Sequence, residues 1–246
     1  MEKTAIVILF LCVGLLAPCG AQSLDELFDA VRAGRAEVVE GAIRAGTDLS
    51  ATRPGGITLL MEAAMRNQLG IARLLLANGA KVNAANQAGL TALMAAAGNG
   101  HKDMAALLLD SGASFKQRSE QGFSALEYAA GYGRTEVVTL LLERGADANS
   151  KARQGWTALM SAASGGHAAV IRLLLEKGAG IDARDDSGKT ALMCAAVNGH
   201  KEAVQALLER GADPAVQDKS GQTASALATG MGFEEIARQI DGYVRQ

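Results

Sequence analysis

Disulfides cannot hold this chain together. Of three cysteines in 246 residues, Cys12 and Cys19 fall in an apolar leader and only Cys194 belongs to the body, so packing must supply the stability. Proline is as scarce, at three residues, and aromatic side chains make up 4% of the total. A core built under these limits leans on Leu, Ala and Met rather than on wide rings. Charge of one sign is missing too, because 24 Lys plus Arg against 26 Asp plus Glu leave a formal net charge of -2. No basic stripe or tail appears, which removes the electrostatic basis for binding nucleic acid. The spacings that carry chemistry are also absent: no phosphate-cradling glycine loop, no His-Glu-x-x-His, no Cys-x-x-Cys and no nucleophile elbow. No catalytic residue, cofactor site or metal site is expected, and the chain does not read as an enzyme.

What the sequence has in quantity is glycine, at 29 residues. Many glycines with few prolines imply many short turns between small-residue helices.

Residues 1–21 read as a signal peptide. Lys3 gives a weakly positive start, Ala5 to Ala17 is apolar apart from Gly14, and Pro18, Cys19, Gly20 and Ala21 end the run. Cleavage after Ala21 would leave Gln22 first and place the protein in the periplasm or outside the cell. Leu16-Ala17-Pro18-Cys19 also resembles a bacterial lipoprotein box, although proline departs from the small residue usual before the cysteine. A membrane association is expected only if Cys19 is lipidated or the leader stays as an uncleaved anchor.

The body, 22–246, is organised by a 33-residue period. Thr58, Thr91, Ser124, Thr157, Thr190 and Thr223 stand 33 residues apart, with Gly56, Gly89, Gly122, Gly155, Gly188 and Gly221 two places before them. Leu60, Leu93, Leu126, Leu159 and Leu192 stand two places after. Gly-Ala pairs at 79, 112, 145, 178 and 211 close the units. Within 152–184, Gly155 marks a turn and Thr157 reads as a helix N-cap or a turn hydroxyl. Leu159, Met160, Ala162 and Ala163 form the apolar face of a first short helix. Gly165-Gly166 breaks the chain, and Val170, Leu173 and Leu174 stripe a second helix that ends at Gly178. Neither helix is long enough to stand alone, so each pair must bury its faces against its copies.

The pattern Asp185-Asp186-Ser187-Gly188-Lys189-Thr190-Ala191-Leu192-Met193-Cys194-Ala195-Ala196, then Gly199-His200 and Leu207-Leu208-Glu209-Arg210-Gly211-Ala212-Asp213, resembles the ankyrin repeat. The resemblance implies an all-α solenoid of stacked helix-turn-helix units with projecting β-turn or hairpin loops. Five full units are counted, 53–85, 86–118, 119–151, 152–184 and 185–217, between divergent capping units at 23–52 and 218–246. The family's Thr-Pro-Leu-His turn lacks its proline and histidine here, and Met61, Met94, Met160 and Met193 take the histidine's place, with Glu127 in the remaining unit. The resemblance further implies binding to another protein. Exported bacterial proteins of this family look similar, and holding, stabilising or inhibiting a partner are the roles they suggest. A lipid-anchored scaffold of the cell envelope is the alternative.

His101, His167 and His200 share one repeat position. Units about 10 Å apart cannot bring two of them within the roughly 2 Å that a shared metal needs. A hydrogen bond at the start of the second helix is the expected role. Asp147, Asp182, Asp185, Asp186 and Asp213 recur in turns, which points to backbone hydrogen bonding rather than calcium. Cys194 reads as a compact apolar filler.

Candidate partner contacts come from the positions that vary while the register holds. Ile57, Leu90, Phe123, Trp156, Lys189 and Gln222 follow the turn glycine, and the first four are large and apolar. They either pack on one another or form an exposed strip, the kind of surface that binds protein. The candidate set is Leu90, Phe123, Glu127, Tyr128, Arg153, Gln154, Trp156, Asp186 and Lys189, centred on the middle units. The chain on its own is expected to be a monomer.

Overall fold

The computed structural model describes residues 23–244, so the leader and its processing lie outside the described residues. The described part is a single stack of antiparallel helix pairs. The first helices of the pairs are α1 (Leu24–Arg32), α3 (Leu59–Met65), α5 (Ala92–Asn99), α7 (Ala125–Gly131), α9 (Ala158–Ser164), α11 (Ala191–Val197) and α13 (Ala224–Gly230). They alternate with α2 (Ala36–Arg44), α4 (Leu69–Ala77), α6 (Lys102–Asp110), α8 (Thr135–Glu143), α10 (Ala168–Glu176), α12 (Lys201–Glu209) and α14 (Glu234–Val244). Each first helix packs on the next first helix and each second helix on the next second helix, which makes two parallel layers with one core between them. No helix among the described residues is long and apolar enough to cross a membrane.

The Thr column settles as helix N-caps. Thr58, Thr91, Thr157 and Thr190 each accept, through Oγ1, the N–H of the Met three residues on, at 3.1 to 3.4 Å. Such a cap is worth about 1 kcal/mol, a useful share of the stability of a two-turn helix. At the other end of each pair, Gly178 shows the requirement for glycine. Its φ is +84°, and from there its own N–H reaches Leu175 O while that of Ala179 reaches Leu174 O, at 3.0 and 2.9 Å. That double bond closes the second helix.

Burial follows the columns. Leu60, Leu93, Leu126, Leu159 and Leu192 are buried in the first layer, and Leu75, Leu108, Leu141, Leu174 and Leu207 in the second. Alanines at 63, 64, 96, 97, 129, 130, 162, 163, 195 and 196 are also fully enclosed, and their small size lets neighbouring first helices approach closely. A thin core of this kind has room for few rings. Among the described residues Phe28 is the one aromatic residue fully buried in it, in the first capping unit.

Ion pairs tie that unit to the next one. Arg53 lies 4.8 Å over the Phe28 ring and within 3.2 Å of Asp29. Arg32 meets the buried Glu62 carboxylate at 2.7 Å, with Arg66 at 3.4 Å on the same oxygen. At the far end α14 turns polar where other second helices carry leucine: Ile240 is buried, while Gln239 and Asp241 lie toward or in water.

The histidines make hydrogen bonds at the starts of the second helices, as expected, and their partners lie in the preceding unit. His101, His167 and His200 stand at the N-cap positions of α6, α10 and α12, yet none caps its own helix. Each ring reaches back 36 residues through Nε2 to a main-chain carbonyl of the preceding unit: Met65 O at 3.2 Å, Gly131 O at 3.0 Å and Ser164 O at 2.9 Å. Gln68 and Arg134 do the same in their units, to Arg32 O at 3.3 Å and Gly98 O at 2.9 Å. The first helix is so short that its last carbonyls lie next to the following unit, and a long polar side chain there satisfies them. The column is an inter-unit tie.

The turn aspartates bond to backbone. Asp147 accepts from Asn149 N and Asp213 from Ala215 N, both at 2.8 Å, and Asp182 from Asp213 N at 3.1 Å. Cys194 is buried on α11, and burial, with Asp185 adding to it, pushes its thiol up to about 12.

Candidate functional site

The fingers that link the units project beyond the first helices. One is a short hairpin, β1 (Thr52–Arg53) with β2 (Ile57–Thr58), and the others are tight turns. Successive fingers are tied along the stack by main-chain bonds: Gln87 N to Gly55 O, Glu120 N to Ala88 O, Asp186 N to Gln154 O and Lys219 N to Ser187 O, at 2.7 to 2.9 Å. The corresponding bond from Arg153 N to Gln121 O is not made.

The cause lies at the first finger position. Asn86, Asp185 and Asp218 each accept two turn N–H groups through Oδ1, and Ser119 accepts that of Phe123 through Oγ. Ala152 occupies this position in the fourth unit and has no acceptor to offer. The turn there is reorganised, with Gln154 at φ +60° and the Trp156 N–H bonded to Arg153 O at 3.3 Å. A left-handed conformation is costly for a residue with a Cβ, so this finger carries strain that its neighbours avoid.

The reorganised finger sets Trp156 over the first-helix layer. Its indole Nε1 donates to Ser161 Oγ on α9 at 2.9 Å, which fixes the ring plane. Across from it, Phe123 meets Tyr128 of α7 edge to face, with ring centroids 5.9 Å apart. Tyr132, one turn further along, is 60% exposed and leans over Gly98. These four rings border a cleft of about 340 Å³ between the third and fourth units, floored by Gly131, Ser161, Ser164 and Gly165.

The space arises from a large–small mismatch between adjacent units. Counting from the cap residue, the eighth position holds Tyr132 in the third unit and Gly165 in the fourth. The fourth position holds Tyr128 and then Ser161. Large groups on one unit face small ones on the next, and nothing fills the gap.

Several expected contacts are brought together here and others are not. Phe123, Tyr128 and Trp156 line the cleft, each half-buried, and Glu127 lies buried beneath it. Leu90, Arg153, Gln154, Asp186 and Lys189 do not line it; Arg153, Gln154 and Asp186 are exposed finger residues, and Leu90 packs partly against the core. Trp156 and Ile57 also rest partly on the core, so the strip is both packed underneath and open above.

Glu127 must be corrected as a surface contact. Only 2% of it is exposed, and its carboxylate is used internally. Oε2 accepts the Ser124 N–H at 2.9 Å and the Ser124 hydroxyl, while Oε1 accepts the Ser150 hydroxyl at 3.2 Å and faces Arg118 at 3.6 Å. It caps α7 from the position that methionine fills in the other full units.

Sequence reasoning missed Tyr132, Gln121 and the small floor residues. Tyr132 was legible as the one aromatic residue in its column, where Arg66, Asn99, Gly165, Asn198 and Met231 stand elsewhere.

The fold and the cleft together define a solenoid scaffold with a grooved inner face. The family profile for ankyrin repeats (three copies) matches residues 27–119, 60–152, 126–218 and 170–240, and the chain belongs to that family. Its structure is similar to the crystal structure of the human ASB11 ankyrin repeat domain, with a TM-score of 0.78 and 26% sequence identity over 87% of this chain and 96% of that one. No curated protein sequence matches it. Ankyrin repeats are in general protein–protein interaction modules and typically non-catalytic scaffolds.

Proposed function

We propose that this protein is an exported, non-catalytic binding module that holds a partner protein against its inner face, and that doing so stabilises or inhibits the partner. One observation carries the reading. Four of the chain's few aromatic side chains, Phe123, Tyr128, Tyr132 and Trp156, converge on one open cleft, and none of them is fully buried. Aromatic residues placed at a solvent-facing groove of a rigid scaffold are the usual anchors of protein interfaces. The apolar leader ending at Ala21 supports export to the periplasm or the medium, and Cys19 supports a lipid-tethered variant of the same module.

A photo-reactive side chain placed at Tyr132, compared with one at Arg144 on the second-helix face, tests the binding face in native extract. A specific cross-linked protein is expected from Tyr132 alone, and its yield should fall at least about tenfold, or 1.4 kcal/mol, when Phe123 and Trp156 are both changed to Ala. Equal cross-linking from both faces, or an unchanged yield from a folded double variant, would remove the proposal. The mass of the mature N-terminus separates cleavage before Gln22 from acylation at Cys19.

A further inference from the structure

Resting on that reading, we infer that the cleft between the third and fourth units takes one large uncharged side chain, aliphatic or aromatic, from a stretch of the partner that is itself uncharged. The volume, about 340 Å³, is near the lower end for ligand pockets and suits one anchor with its flanking backbone. The walls are aromatic rings and the floor is Gly131, Ser161, Ser164 and Gly165; Glu127, the one charged residue of the lining, is buried with its oxygens engaged.

Both signs of charge are disfavoured there. An anion would find no cationic side chain in the lining to pair with. Arg153 and Arg134 do not line the cleft, and Arg134 turns back to Gly98 O of the second unit at 2.9 Å. A cation drawn to the rings finds no exposed carboxylate in the lining to pair with. Glu127 gives no compensation, because its oxygens are occupied by Ser124 and Ser150 and faced by Arg118. The neutral character also extends along the inner face. Residues at the same register positions are Ala95, Gly98 and Asn99 before the cleft and Cys194, Val197 and Asn198 after it, whereas Glu62 and Arg66 hold those positions only in the first full unit. A charged segment laid across this floor would lose hydration without gaining a partner.

The polar groups still free at the rim are suited to main chain. Among the described residues Tyr132 Oη has no hydrogen-bond partner, and Tyr128 Oη has only a long one to Gln121 Oε1 at 3.5 Å. Two phenols and an amide can bond to the peptide groups that flank an anchor.

The test uses the intact protein and short blocked peptides of Ser, Gly and Asn, each with one central Phe, Leu, Lys or Glu. Trp156, the only tryptophan in the chain, reports binding by fluorescence, and isotope labelling maps the residues affected. The Phe and Leu peptides are expected to bind at the cleft at least about tenfold more tightly than the Lys and Glu peptides, a difference of 1.4 kcal/mol. Tyr132→Ala should weaken the Phe peptide about fivefold or more, and Asn198→Ala, on the next unit but one, should not. Equal or tighter binding of Lys or Glu, or shifts centred away from the cleft, would overturn the inference. Free indole binding as tightly as the Phe peptide would also overturn it, by assigning the cleft to a small molecule. If no peptide binds while cross-linking still depends on Phe123 and Trp156, the anchor fails and the protein-binding reading stands. Loss of that dependence fails both.

Discussion

The unit 185–217 and the pair of units 119–184 share one scaffold and differ in what they show to solvent. In the former every register position is kept. Asp185 holds its finger with two bonds at 2.8 Å, Lys189 follows the turn glycine, and Cys194, Val197 and Asn198 leave an even inner surface. In the latter, Glu127 replaces a methionine, Ala152 replaces the finger acceptor, Tyr128 and Tyr132 stand where the other full units carry small or polar residues, and Trp156 stands where the unit 185–217 carries Lys189. The Leu and Ala columns behind both are equally buried. Keeping the register builds the stack, and leaving it at surface positions builds a site without weakening what lies beneath.

The largest effects should be blind to this difference. Leu141→Ala and Leu207→Ala, one behind each region, are each expected to cost about 2–5 kcal/mol by urea unfolding. A much smaller cost at Leu141 would mean that the middle units carry less of the scaffold, and the comparison would break. Next, Glu127→Ala should cost about 1–3 kcal/mol, because Arg118 and the Ser124 N–H lose their acceptor. Glu127→Met, restoring the residue of the other units, should cost less than the alanine change. The reverse order would show that the carboxylate matters for more than capping α7.

The finger offers a finer test. Ala152→Asp should add about 0.5–1 kcal/mol by restoring the turn acceptor, and Gln154→Gly a similar amount by relieving the left-handed residue. Asp185→Ala should lose about as much from the regular unit. Trp156 fluorescence should shift in the Ala152→Asp variant as its finger returns to the common shape, and should stay unchanged in Asp185→Ala. The smallest effect concerns Cys194, which should resist thiol reagents in the native state at neutral pH. Its thiol is raised in the folded protein to about 12 from an ordinary value of 9.0, so the neutral form is favoured by folding. The stability it contributes is therefore whole below pH 9 and is lost as pH rises toward 12. Native-state labelling at pH 7 would contradict its burial.

Much of the scaffold could be read from spacing alone, because each column repeats a single physical duty: Thr caps, Leu fills, Gly turns left-handed. The aromatic residues at 123, 128 and 156 were legible as departures from those columns. Glu127 misled because a carboxylate on a helix face reads as exposed, and its three partners include Ser150 and Arg118 from loops flanking α7 whose approach no periodicity reveals. For the histidines a hydrogen bond at the start of the second helix was legible, but not that its acceptor is a carbonyl 36 residues back in the preceding unit. Tyr132 went unnoticed because its importance depends on Gly165 in the next unit, and such a mismatch is visible only when columns are compared across units.

The comparison is tested most directly by affinity for the cross-linked partner, measured for Tyr132→Ala and Asn198→Ala, two changes in one column on unlike units. Tyr132→Ala should weaken binding at least about tenfold with unfolding stability unchanged, and Asn198→Ala less than about twofold. Equal losses, or a loss only at Asn198, would contradict the claim that the site lies where the units leave their register.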